Sequence, residues 1–319
     1  MTQFNPTKMI PDAMSRIRPF IRRTILDFSP YYSQLNGANV YFKCENLQHT
    51  GSFKARGALN KILSLSEEER RRGIVTASTG NHGAACAYAM RQVGANGIVF
   101  VPTIAEETKL AAIRRLGAEI RTVGTDSVES ERFARVYAAE ESMTYVPPYN
   151  DPLVIAGQGT IALELLLQQP ELDAVFVSVG GGGLIGGIAS YFKGVNPAIQ
   201  VFGCSPQNSQ VMALSVAAGE LLDLPSLPTL SDGTAGGLEA GSITFPLCRD
   251  YVDRYISVSE DEIVDSLRTF MSTQHMLIEG SAAVAIAAFQ KTAVDLRGKD
   301  VAIILCGANI SLEKLKGIL

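Results

Sequence analysis

Lys54 stands in the segment Gly51-Ser52-Phe53-Lys54-Ala55-Arg56-Gly57. An amine attacks a carbonyl carbon only when unprotonated, and lysine's ordinary pKa of about 10.4 keeps that form scarce near neutral pH. Burial or covalent use must supply the reactive form. A second segment, Ser78-Thr79-Gly80-Asn81-His82-Gly83, offers hydroxyl, amide and imidazole groups in a short stretch. A third, Gly180-Gly181-Gly182-Gly183-Leu184, follows an apolar run and opens a helix-like one. Glycine lets backbone N–H groups approach an anion, and a helix N-terminus adds partial positive charge. Together these are an amine nucleophile, a polar loop and a phosphate cradle. Singly, each has a plainer reading: a lysine is usually a solvated surface charge, and glycines can serve close helix–strand packing.

Gly181-x-Gly183-x-x-Gly186 formally matches a dinucleotide fingerprint. That reading also needs an acidic residue about 20 positions on, to bond a ribose. No Asp or Glu occurs between Gly183 and Glu220. A compact phosphate without a ribose is the better fit.

The elements that must position these groups follow a strand–turn–helix cycle. Strands are predicted at 73–77, 97–101, 119–123, 174–179, 199–203 and 301–305. Helices are predicted at 81–93, 105–116, 127–141 and 160–168, from the glycines to 192, and at 260–276 and 281–291. Apolar strands alternating with helices imply an α/β fold with parallel sheets covered on both faces. Pro147-Pro148 marks an interior boundary with a partner near 65–73, so residues 1–66 and 150–319 are expected to form a large domain around an inserted 67–149 domain. The Pro/Gly-rich stretch 224–241 is the longest candidate loop, and long loops in compact domains are often functional.

Composition narrows the function classes. Of 319 residues, 46% are hydrophobic and 19% charged, a globular balance long enough for two domains. The net charge of −4 offers no basic surplus for nucleic acid or a membrane surface. No apolar run reaches membrane-spanning length, and the Arg-bearing N-terminus lacks a secretory apolar region, so a cytoplasmic protein is expected. Five scattered cysteines form no CxxC pair, and none of the three histidines falls in an HExxH pattern. No metal site is expected.

These segments resemble the fold-type II pyridoxal phosphate (PLP) enzymes, within the threonine dehydratase and serine racemase group, whose fold is like that of the tryptophan synthase β chain. The likeness runs through Ser52-Phe53-Lys54-Ala55-Arg56-Gly57, the Ser78–Gly83 loop, Val154-Ile155-Ala156-Gly157-Gln158-Gly159-Thr160, the four glycines, and Cys306-Gly307-Ala308-Asn309. The resemblance implies that Lys54 holds the cofactor as a Schiff base and removes the α-proton of an amino acid. Phe53 would cover one face of the pyridine ring, Asn81 would bond its hydroxyl, and Cys306 would sit at its nitrogen. Backbone amides of Gly180, Gly181, Gly182, Gly183 and Leu184 would hold the phosphate, with Glu279 nearby. Ser78, Thr79, Asn81 and His82 would receive the substrate. A neutral Cys306 weakens the ring as an electron sink, which favours β-elimination. The implied activity is dehydration and deamination of a β-hydroxy amino acid such as L-threonine or L-serine, by a homodimer.

Departures keep other activities open. Thr79 stands where dehydratases of the group commonly have Ala and serine racemases have a Ser that acts on the opposite face, so its hydroxyl is a second candidate catalytic group beside Lys54 and a serine or aspartate-type racemase is an alternative. The segment Cys204-Ser205-Pro206-Gln207-Asn208-Ser209-Gln210-Val211 lacks the carboxylates with which racemase relatives bind a divalent cation. The 231–239 and 244–248 segments resemble dehydratases of hydroxyectoine utilisation, so a hydroxyectoine-derived substrate is an alternative; hydroxyaspartate is another. The chain ends soon after Leu312, so an isoleucine-responsive C-terminal domain is not expected.

Overall fold

A computed structural model describes residues 4–105, 107–292 and 296–319. The chain builds two sheets. The larger uses β1 (Leu26–Phe28), β2 (Asn39–Lys43), β7 (Ala174–Ser178), β8 (Gln200–Pro206), β9 (Arg254–Val258) and β10 (Asp300–Ile304), in the order β1-β2-β10-β7-β8-β9. The smaller uses β3 (Ile74–Ala77), β4 (Gly97–Val101), β5 (Glu119–Thr122) and β6 (Thr144–Tyr145), in the order β5-β4-β3-β6. Every residue of β3 and β7 is buried, as strands covered by helices on both faces should be.

The parallel expectation fails at one edge. β1 pairs with β2 antiparallel, Leu26 opposite Lys43. Residues 29–38 join them, most of them in the short helix Pro30–Asn36, which Gly37 closes at φ 78°. A connection that short returns the chain antiparallel, because a parallel partner requires a longer crossover.

The helix expected at 160–168 begins earlier, at Pro152. The Asp151 carboxylate accepts from the Leu153 and Val154 amides, and Pro152 takes the first helical position, where its missing N–H costs nothing. The Val154-to-Thr160 motif is therefore helical, packed on the helix Lys54–Leu63 that Lys54 itself opens. A side chain on Gly157 would lie 2.5 Å from the Arg56 carbonyl, so glycine permits this crossing. The helix expected at 105–116 runs Glu107–Arg115, and residue 106 lies outside the described residues.

Beneath that crossing sits a buried charge quartet. Arg56 bonds Glu45 through Nε and Nη2, both at 2.8 Å, and bonds Glu164 at 2.9 and 3.0 Å. Lys43 Nζ reaches Glu164 at 2.7 Å. Two cations balance two anions there, and all four side chains are withdrawn from solvent.

Candidate active site

The segment before Lys54 is held by the segment after β10. Phe53 N–H donates to the Cys306 carbonyl at 3.0 Å, Ser52 bridges Gly307, and Ala308 N–H donates to the Gly51 carbonyl at 2.9 Å. Two of the expected site segments are thus one backbone unit. Lys54 Nζ donates to the Pro148 carbonyl at 2.8 Å and lies 5.3 Å from the centre of the Phe53 ring. Burial lowers its pKa to about 8, against the opposing effect of the Cys86 and Cys306 thiols and the Glu279 and Glu131 carboxylates. A useful fraction of free amine follows near neutral pH.

Asn81 opens the helix Asn81–Val93. Its amide donates to both Glu279 oxygens, at 3.0 and 3.1 Å, and its carbonyl accepts from the Asn309 side chain. Glu279, buried just before the helix Gly280–Thr292, also accepts from Asn309 N–H at 3.0 Å. Cys306 Sγ lies 3.9 Å from its Oε1. Burial, then Glu279, holds the Cys306 thiol well above its ordinary range and therefore neutral. Glu279 thereby joins the helix that follows β3 to the segment that follows β10.

His82 presents a different group from the one its residue type suggests. Its Nε2 faces the Val146 carbonyl at 3.0 Å, which requires the proton on that nitrogen, and Cys86 Sγ lies against the ring. Burial, then Lys54, drives its pKa to about 3, so the imidazole is neutral and committed to the interior. What His82 offers the loop is its backbone N–H, one of the amides that a helix N-terminus leaves without an intrahelical acceptor. Ser78 Oγ accepts from Gly80 N–H at 3.2 Å. Thr79 is partly exposed and makes no side-chain hydrogen bond among the described residues.

The four glycines join β7 to the helix Gly183–Val195, with Gly182 at φ 82°. A side chain on Gly181 would lie 2.5 Å from the Tyr149 ring, and one on Gly180 2.9 Å from Thr234. Thr244 donates to the Gly181 carbonyl at 2.7 Å. Gly181→Ala is expected to push Tyr149 aside and weaken phosphate binding at least tenfold, at a stability cost of about 1–3 kcal/mol. Cofactor titration and thermal melts check both parts.

No role was expected of Tyr149, Thr234, Thr244 or Asn309, although Asn309 closes the Cys306–Asn309 segment and Thr234 and Thr244 lie in the 231–239 and 244–248 segments. Tyr149 directly follows the Pro147-Pro148 break, and Thr234 lies in the long loop, so position alone hinted at them. Nothing in their types did.

Comparison with known proteins bears on the family and the fold. The model of the family described as "Pyridoxal-phosphate dependent enzyme" matches residues 17–307. The chain belongs to that family. An L-threonine ammonia-lyase of Thermotoga maritima is 39% identical over 310 residues, 97% of this chain and 77% of that protein. An L-threo-3-hydroxyaspartate ammonia-lyase of Pseudomonas sp is 36% identical, with 96% of each chain covered. The structure of maize serine racemase superposes with a TM-score of 0.93 at 33% identity, covering 99% of this chain and 97% of that one. The fold is that of the fold-type II enzymes, and the cofactor is pyridoxal phosphate.

The residues present fit that group. A buried amine, a glycine loop at a helix N-terminus and a neutral buried thiol would suit its aldehyde, phosphate and ring nitrogen in turn. Ser52 Oγ, buried two residues before Lys54, has no hydrogen-bond partner among the described residues. Among those residues no cluster of His, Cys, Asp or Glu gathers to hold a metal ion, and no helix is long and apolar enough to cross a membrane.

Proposed function

We propose that the protein is an ammonia-lyase that converts a β-hydroxy amino acid, such as L-threonine or L-serine, to a 2-oxo acid and ammonia. The observation that carries this reading is the Lys54 amine, lowered to about 8 by burial and bonded to the Pro148 carbonyl, on the same backbone unit as the neutral Cys306.

Pyridoxal phosphate, when bound, supplies an electron sink for the pair left at the substrate's α-carbon. Lys54 would hold it, with the amides around Gly180, Gly181, Gly182, Gly183 and Leu184 at its phosphate, Phe53 on one ring face and Asn81 at its hydroxyl. Cys306 would face the ring nitrogen and, being neutral, offer it no charge. This disfavours storing the electron pair and favours using it to expel the β-hydroxyl. Ser78 and the Asn81 and His82 N–H groups would orient the substrate carboxylate. Lys54 Nζ then takes the α-proton as general base. The β C–O bond breaks, the oxygen leaves as water with, in net balance, the proton removed from the α-carbon, and the released enamine takes water back to give the 2-oxo acid and ammonia.

With cofactor-loaded protein, L-threonine is expected to give 2-oxo acid and ammonia in equal amounts. Release of neither from L-threonine, L-serine or 3-hydroxyaspartate sinks the reading. Racemisation is the second reading, and what favours it is the partly exposed Thr79 hydroxyl, with no hydrogen-bond partner among the described residues. A general acid or base contributes about 10²–10⁴-fold. Thr79→Ala is therefore expected to keep elimination within about threefold of the parent; a collapse of that size would make Thr79 the acid or base.

The proposal extends to a homodimer in the cytoplasm, and to a division into residues 1–66 with 150–319 and an inserted 67–149 unit. The division is supported by the strands: those of the four-stranded sheet all fall within 74–145 and those of the six-stranded sheet outside it.

A further inference from the structure

The wall next to the glycine loop carries an ionic cluster that the proposed chemistry does not use. Arg135, on the helix Ser127–Glu140, contacts Glu131 and Glu239, each at 2.7 Å, and stacks 4.4 Å from the centre of the Tyr145 ring. Glu239 belongs to the long loop. Its other oxygen accepts from Asn150 Nδ2 at 2.8 Å, and its N–H donates to the Tyr149 hydroxyl at 2.8 Å. Asn150 in turn accepts from Ile243 N–H at 3.0 Å. Tyr149 is the residue packed on Gly181 and Gly183, and it follows Pro148, the Lys54 acceptor. Glu131 lies within electrostatic reach of Lys54 itself. Tyr149 thus ties the cluster to the glycine loop and, through its neighbour Pro148, to the Lys54 amine.

Its charge is unbalanced. Two carboxylates face one guanidinium, leaving a net −1, and a single nitrogen, Nη2, serves both acids. A substrate carboxylate reaching for the remaining Arg135 donors would enter beside Glu131 and Glu239. A hydroxyl, methyl or amino group would meet no such repulsion. All three side chains are partly solvated, so the discrimination is moderate and sensitive to salt.

We propose that Glu131, Arg135 and Glu239 form the side-chain end of the substrate site and select β-hydroxy amino acids whose side chain carries no negative charge. This rests on the ammonia-lyase reading and narrows it: a substrate with a second carboxylate, such as 3-hydroxyaspartate, is disfavoured. Specificity here comes from repulsion of the wrong ligand as much as from attraction of the right one.

The test is binding to cofactor-loaded protein by calorimetry, using L-aspartate and L-2-aminobutyrate, which share an α-amino acid head and lack a β-hydroxyl. L-Aspartate is expected to bind at least tenfold more weakly. Glu239→Gln and Glu131→Gln, each keeping the side-chain shape, are expected to narrow that gap about threefold, and high salt should narrow it too. The kcat/KM ratio of L-threonine to L-threo-3-hydroxyaspartate should move in parallel. Equal or tighter L-aspartate binding, or a gap unchanged in both variants, overturns the inference alone. Failure of both ligands to bind, with no oxo acid from any substrate, overturns the ammonia-lyase reading with it.

Discussion

Lys54→Ala is expected to lower kcat/KM for L-threonine by about 10⁴-fold or more, while the cofactor-free protein melts no earlier than the parent. The activity loss combines a missing general base, worth about 10²–10⁴-fold, with a missing covalent anchor. The stability expectation follows from the same burial. The Lys54 amine has a pKa of about 8 in the folded chain against an ordinary value of 10.5. Between those values the unfolded chain binds more protons, so this group's contribution to stability rises with pH through that window. Below it, folding keeps a desolvated ammonium that alanine removes. A residue kept only for packing would behave the opposite way, with stability lost alongside activity. Borohydride treatment of the loaded parent, followed by peptide mapping, should fix the cofactor on Lys54; a label on Lys61 instead would reassign the anchor.

Arg56→Met is expected to destabilise the protein by about 3–5 kcal/mol, because it leaves Glu45 and Glu164 buried with only Lys43 to balance them. A chain of this size should then melt roughly 10 °C lower, read by thermal denaturation. Burial alone would raise the Glu164 carboxyl, but Arg56 and then Lys43 hold it below its ordinary range. Its stabilisation is therefore present above the ordinary carboxylate range and lost as pH falls through the lowered folded value. Without Arg56 that acid limit should move upward. Adding Glu164→Gln to Arg56→Met restores the charge balance, so the double variant should lose less than the sum of the two single changes. Additive losses would show that the quartet is not one unit.

The fold was legible where apolar runs were unbroken and glycines marked their ends: β3, β4, β7 and the helices Asn81–Val93 and Gly183–Val195 lie within a few residues of where the sequence places them. The antiparallel β1 was not, since three half-exposed residues carry no periodic signal. The first turns of the helix Pro152–Gln168 are hidden in the sequence because Gly157 and Gly159 look like breakers, and only the packed partner helix explains Gly157. The site was legible as segments but not as contacts. Asn81, Glu279 and Asn309 are separated by up to 228 residues, and no local pattern announces that they meet. His82 shows the limit most clearly. Its residue type suggests a titrating ring at the substrate, and only the Val146 carbonyl reveals that the ring faces inward.

The most direct test supplies L-serine to the loaded enzyme and measures pyruvate and D-serine in the same reaction. A neutral Cys306 and a general base at Lys54 predict that pyruvate exceeds D-serine more than tenfold, an advantage of about 1.4 kcal/mol or more for elimination over reprotonation. D-Serine accumulating with little pyruvate would contradict the account.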